Sequence, residues 1–185
     1  MFAWSISFAQ RVMPECKIIL STDFEPLIDC QHEVSNLQIV GRSKSVSSSQ
    51  ASTEDWLLSL IGEGFLANNT VALLQPTSPF RAKQTFVELL RKYRGQPEVT
   101  HYSGHDGKPN GNLYLFDTNQ VGRGVPIVST DSVWLNPSFE WENIDIDDAS
   151  DWSNAEGFLD YPDVQSMQSY LRNSMVGSVF QALER

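Results

Sequence analysis

Cysteine is nearly absent: Cys16 and Cys30 are the only two in 185 residues. They offer neither a disulfide framework nor the CxxC spacing of a structural zinc site, and a reduced, cytoplasmic setting is the default reading. Cations are also scarce. Thirteen Lys and Arg stand against 23 Asp and Glu, a formal charge of −10. Nucleic-acid binding through bulk electrostatics is not expected, because phosphate neutralisation needs a cationic surplus. No apolar run approaches the roughly 18 residues of a membrane span, and Met1 to Met13 is interrupted by Ser5, Ser7, Gln10 and Arg11. That opening lacks the basic start and small-residue cleavage site of a secretory signal. Neither a GxSxG elbow nor a Walker GxxxxGKS/T loop occurs, so the hydrolase nucleophile and that phosphate cradle are not available.

What is present suffices for one domain over residues 1–185, since 41% of the chain is hydrophobic and 11% aromatic. The charge is lopsided. Residues 1–100 carry 10 acidic and 9 basic side chains, whereas residues 101–185 carry 13 and 4. Between Glu140 and Asp163 there are nine carboxylates and no Lys or Arg, a pattern whose ordinary meaning is a solvated face.

Phe2, Ile6, Ala9 and Met13 recur at helical spacing, so the chain opens with a helix packed on a sheet. Lys17 to Leu20 reads as a strand, a helix follows from about Pro26, and Leu37 to Val40 is the next strand. The serine-rich stretch from Arg42 to Thr53 reads as a flexible connection, ending at Ser52 and Asp55 as a helix cap. Thr70 to Leu74 is strand, QPTSPFR is loop, and a helix carries Phe86, Leu89 and Leu90. Strand and helix in alternation give an α/β fold with a mostly parallel, doubly wound sheet. Further strands are expected at Glu98 to Tyr102, Leu113 to Phe116, Val125 to Val128 and the core of Ile144 to Ile146, with turn formers from Ser103 to Asn112. Helices are expected from Asp148 to Leu159 and from Asp163, as N-cap, to near the C-terminus, burying Val164, Met167, Leu171, Val179, Phe180 and Leu183.

Asp145 and Asp147 flank Ile146, and extended residues two apart point the same way, so two carboxylates face one space. Like charges so placed call for a cation, a proton or water. Magnesium suits them, being held by one or two carboxylates with water and substrate phosphates completing its shell. The competing reading is a solvated strand end before the Asp148 helix cap. His32, His101 and His105 lack metal-pair spacing and read as surface or turn residues. Lys108 to Gly111 fits a plain hairpin turn or a ligand contact. In Gln75 to Pro79, two prolines stiffen a loop whose amide and hydroxyls at Gln75, Thr77 and Ser78 are able to bond the polar edges of a small ligand. A rigid loop without a ligand is the alternative.

IILSTDFEP at Ile18 to Pro26, LLQPTSPFR at Leu73 to Arg81, NGNLYLFD at Asn110 to Asp117 and DIDDASDWSNAE at Asp145 to Glu156 together resemble the cytidylyltransferases that make CMP-activated sialic and related nonulosonic acids. The resemblance implies a nucleotidyltransferase-type fold and transfer of CMP from CTP to a nonulosonic acid sugar, with pyrophosphate leaving. Asp145 and Asp147 would be the catalytic pair and hold Mg2+. Arg42, Gln75, Thr77 and Ser78 would line the nucleotide pocket, and Asn110 with Gly111 would border the sugar. Two parts of the family pattern have no counterpart: the first strand with its RxGSKR-type phosphate loop, and most of the dimerisation and sugar-binding insertion, here replaced by Ser103 to Pro109. The resemblance therefore implies a sheet truncated at its first strand, with any homo-oligomer formed through a noncanonical interface. A noncatalytic homologue, serving as a weak nucleotide binder or an interaction module, is the second reading.

Overall fold

The computed structural model describes residues 1–28, 36–48, 50–66 and 69–174. Within them the opening stripe is helix α1 (Phe2–Val12), which buries Ile6, Phe8 and Ala9. Strand β1 (Ile18–Thr22), the short helix α2 (Glu25–Ile28) and strand β2 (Leu37–Gly41) follow. Helix α3 (Thr53–Gly62) starts at a reciprocal cap: Ser52 Oγ accepts from the Asp55 N–H at 3.1 Å, and Asp55 Oδ2 accepts from the Ser52 N–H at 3.0 Å. Two donors that a helix start would leave orphaned are thereby satisfied. Strand β3 (Thr70–Leu73) leads through QPTSPFR into helix α4 (Lys83–Gly95). Cys30, His32 and the expected core residues Val179, Phe180 and Leu183 lie outside the described residues.

The second half departs more from expectation. The turn-rich stretch is mostly strand: β4 (His101–His105) and β5 (Lys108–Asp117) join at Asp106 and Gly107, whose φ values are 50° and 74°. Two consecutive positive φ angles make the tight hairpin turn whose twist matches the strands, and a connection that short forces antiparallel pairing. Helix α5 (Thr118–Gly122) comes next. Val125 to Val128 is not a strand; Pro126 has no N–H to give a ladder, and the third strand of this half is β6 (Val133–Leu135). Ile144 to Ile146 joins no ladder either, and its tie is one bond from the Ile146 N–H to Thr77 O at 2.8 Å. Helix α6 (Ala149–Gly157) is capped by Asp148 as expected. Helix α7 (Pro162–Asn173) takes Tyr161 as its N-cap with Pro162 in the first turn, so Asp163 lies inside it instead of capping it. His101 is also not a surface residue: it is 1% exposed, packs edge-on against Tyr93, and burial lowers its pKa.

The described residues thus form a mixed α/β structure with seven α-helices and two sheets, ordered β1-β2 and β3-β5-β4-β6. The β1–β2 and β4–β6 ladders are parallel, while β3–β5 and β4–β5 are antiparallel. A mostly parallel sheet gives way to a mixed one because of the Asp106-Gly107 hairpin. No helix among the described residues is long and apolar enough to cross a membrane.

The two sheets share their covering helices. On one side α3 contributes Leu57 and Leu60 to a cluster that takes in Ile19 of β1 and Leu73 of β3. On the other, α1 packs Ile6 against Ile18 and Leu20, and Phe8 in a cluster with Ala72 and Leu113. The strands β1 and β3 also run the same way. Trp56, near the start of α3, donates from Nε1 to Ser21 Oγ at the end of β1 (2.9 Å), whereas Lys17, just ahead of β1, lies over the Phe65 ring beyond the end of α3. The helix therefore returns to the beginning of β1 before β3 sets out. Each of these strands is outermost in its sheet, and no described strand joins them.

Candidate functional site

Between β1 and β3, roofed by α1 and α3, lies a cleft of about 730 Å³. Its far end, beyond the carboxyl ends of both strands, carries Arg42, Gln75, Thr77, Asp145 and Asp147. That is where ligands gather in open α/β sheets, because loops there leave backbone and side-chain groups free to converge.

Three separate segments build this mouth. The loop after β3 turns sharply, with the Ser78 N–H donating to Gln75 O at 3.2 Å. Ser78 is fully buried, and its Oγ reaches both Asn110 O and Asp145 Oδ1 at 3.2 Å. From β5, Gly111 approaches with φ 77°; a Cβ there would lie 2.7 Å from both Gln75 Oε1 and Ser78 Oγ and 3.3 Å from Asp145 Oδ2. Only glycine fits that combination of positive φ and close approach. Ile146 is buried and bonded to Thr77 O, while Asp145 is half-buried and Asp147 exposed on the cleft side. The alternation expected around Ile146 is present without a strand.

Gln75, Ser78, Gly111 and Asp145 thus meet directly, and Thr77, Asp147 and Arg42 line the same cleft. Arg42 donates from Nη2 to Ser21 O at 2.9 Å and stacks 5.1 Å over the Trp56 ring, leaving its buried Nε without a partner. Asn110 is different. Its amide donates to Glu142 O and Asn143 Oδ1, both at 3.1 Å, and its Oδ1 accepts from Ser103 Oγ at 2.8 Å and the Asn112 N–H at 3.2 Å. Its side chain holds the site together from behind.

Sequence reasoning gave no role to the group beneath this mouth. Arg81 is fully buried; it donates from Nε to Asn112 O at 2.8 Å, from Nη1 to Ser5 Oγ at 2.9 Å and from Nη2 to Gln75 O at 2.5 Å. Burial lowers its pKa to about 9, opposed by the charges of Glu142 and Asp145, so it stays cationic at neutral pH. Glu142, 1% exposed, accepts from the Ala82 N–H at 2.9 Å, Thr85 Oγ1 at 2.7 Å and the Ser138 N–H at 3.0 Å. Burial raises its pKa and those bonds oppose the rise. The available signal was an arginine set between Phe80 and Ala82 at a helix start, where a charge must be buried or splayed out.

Among the described residues no cluster of three or more His, Cys, Asp or Glu is poised for a metal. Asp145 and Asp147 fit magnesium only in the manner of a substrate-completed site, two carboxylates with the remaining positions left to water and phosphate oxygens. No family model and no curated protein matches the chain.

Proposed function

We propose that this chain binds CTP at the mouth formed by Arg42, Gln75, Thr77, Asp145 and Asp147, with buried Ser78 holding Asp145 from behind, as a nucleotidyltransferase-type protein of the CMP-nonulosonate cytidylyltransferase kind. One observation carries the reading: four residues singled out from three motifs, Gln75, Ser78, Gly111 and Asp145, lie against one another although up to 70 positions separate them. In the reaction, the anomeric hydroxyl of the sugar acid forms a bond to the α-phosphorus of CTP. The bond from that phosphorus to the bridging oxygen breaks, pyrophosphate departs and the hydroxyl proton passes to solvent. Bound magnesium supplies charge neutralisation and orientation of the phosphate oxygens. Gln75 and Thr77 offer amide and hydroxyl groups to the base and ribose, and the Asp145 and Asp147 carboxylates would hold the cation.

A second reading has its own support. The cations lining the cleft are Lys17 and Arg42, few for a triphosphate whose transfer relies on donors aimed at developing charge. Turnover by these residues alone is therefore expected well below ~1 per second, leaving nucleotide binding as the main activity of the isolated chain.

Titration calorimetry with CTP tests both readings. Binding should tighten with magnesium, and Asp145→Asn should weaken the magnesium-dependent part roughly tenfold, about 1.4 kcal/mol, with Asp147→Asn causing a smaller loss. Equal magnesium dependence in wild type and both variants would remove the two carboxylates from the site. Pyrophosphate release at more than about 1 per second would sink the binding-only reading.

A further inference from the structure

We propose that the cleft between β1 and β3 is a strand-acceptor slot, which takes an extended segment of another polypeptide as a parallel strand hydrogen-bonded to both. Backbone groups face it from each side. The Ile18 N–H donates to Asn36 O and Thr22 O accepts from the Arg42 N–H, so Ile18, Leu20 and Thr22 serve the β2 ladder and the alternate residues Ile19 and Ser21 turn their peptide groups toward the slot. Ser21 O is already taken by Arg42 Nη2 at 2.9 Å, which leaves the two Ile19 groups and the Ser21 N–H for an occupant. Across it, the Thr118 N–H donates to Asn69 O, which places Val71 and Leu73 in the β5 ladder and leaves Thr70 and Ala72 facing the slot. Such a pair of edges is an unusual liability unless it is covered.

The size agrees. A five-residue strand within a layered fold fills roughly 800 Å³, from ~3.3 Å of rise per residue, ~4.8 Å between strands and ~10 Å between layers. The cleft holds about 730 Å³ beside a β1 of five residues. Both of its faces are apolar, from Ile6 and Ala9 of α1 on one side and Leu57 and Leu60 of α3 on the other, so an occupant must be apolar at successive positions, the pattern of a strand buried on both faces.

Charge sets its direction and ends. Lys17 lies at the start of the slot and Asp145 with Asp147 at its finish, which suits an acidic residue ahead of the apolar run and a basic residue after it. A second copy of the chain is a poor donor, because all six described strands are already paired within their own chain. We assign the slot to a segment of a different protein, on the acidic-apolar-basic pattern that Lys17, the apolar faces and the two aspartates together fit.

Fluorescence anisotropy tests this with the whole chain and a labelled peptide, Asp-Ile-Val-Ala-Val-Ile-Lys, between Gly-Ser tails. Saturable binding is expected, weakened at least tenfold by N-methylation of the central alanine, which removes one ladder donor, and several-fold by exchanging the Asp and Lys. The amides of Ile19, Thr70 and Ala72 should exchange more slowly with peptide present. Absent binding, or equal binding of the N-methylated peptide, overturns the proposal. So does a peptide-free dimer by light scattering in which those amides are already protected, since a second copy then fills the slot. Because only the protein and peptide are present, failure of CTP binding bears on the nucleotide reading and not on this one.

Discussion

Strands β5 and β1 each carry an apolar run but differ in surroundings. Gly111 to Phe116 of β5 are buried without exception, whereas every residue of the IILST strand β1 stays half-exposed. The side chains do not explain this, since Ile18, Ile19 and Leu20 are as apolar as Leu113 and Leu115. What differs is the neighbours. β5 has a strand on each edge and the Arg81, Asn112 and Glu142 network behind it; β1 has one strand and an open slot. The full burial of Gly111 to Phe116 goes with strands on both edges and a polar network behind, the closed seam of the molecule, and the exposure of β1 goes with the open seam beside it.

The largest effect should come from opening the closed seam. Arg81→Met leaves Gln75 O, Asn112 O and Ser5 Oγ without their donor and removes the positive charge near Glu142 and Asp145. Breaking a buried charge network in this way costs about 3–5 kcal/mol, read as a lower urea midpoint at unchanged slope. A loss under about 1 kcal/mol would show that apolar packing, not this network, closes the seam.

A smaller change sharpens the comparison at the point where the two seams touch. In Gly111→Ala, the methyl group meets Gln75 Oε1 and Ser78 Oγ at a positive φ. The strain should cost about 1–3 kcal/mol and lower CTP affinity several-fold in the same calorimetric experiment. Unchanged affinity at lowered melting temperature would separate the β5 bend from the nucleotide mouth.

Elements held by local chemistry were legible from the sequence. Ser52 and Asp55 announce α3, Asp148 announces α6, and the apolar runs at Ile18, Leu37 and Val71 announce three strands within a residue or two. The mouth was legible in part: Gln75, Thr77, Asp145 and Asp147 stand in polar, turn-forming motifs, and these converge near Gly111. Long-range choices were not legible. Whether Asp106-Gly107 or Lys108 to Gly111 makes the turn depends on register against β4, where the ladder shifts between Tyr102 and Gly104. Nor does an isolated arginine or glutamate in the sequence reveal its burial, because partners such as Ser5 and Asn112 lie 76 and 31 positions away.

The smallest effect belongs to the cap of α3, the helix that covers the open seam. Ser52→Ala removes the α3 cap and should cost about 1 kcal/mol. The hydrogen bonds from Ser52 hold the Asp55 carboxyl below its ordinary pKa. A depressed carboxyl pKa contributes stability that is complete above the ordinary carboxylate value and lost as pH falls through the folded value. The gap between wild type and Ser52→Ala in urea melts should therefore narrow between pH 7 and about pH 2.5, and a constant gap would assign the cap to the Ser52 hydroxyl alone.

Helix α1 lies far ahead in the chain of several residues it packs against. Trp4 packs on Phe80 with ring centroids 5.3 Å apart, Phe8 on Phe86 at 5.9 Å, and Ile6 in a cluster that reaches Leu171. At ~10 residues per second, roughly 16 seconds pass between synthesis of the helix and of its last contact. Early in that interval the helix can rest only on Ile18, Leu20 and Leu37, so the face that later meets Phe80, Phe86 and Leu171 waits uncovered for its partners.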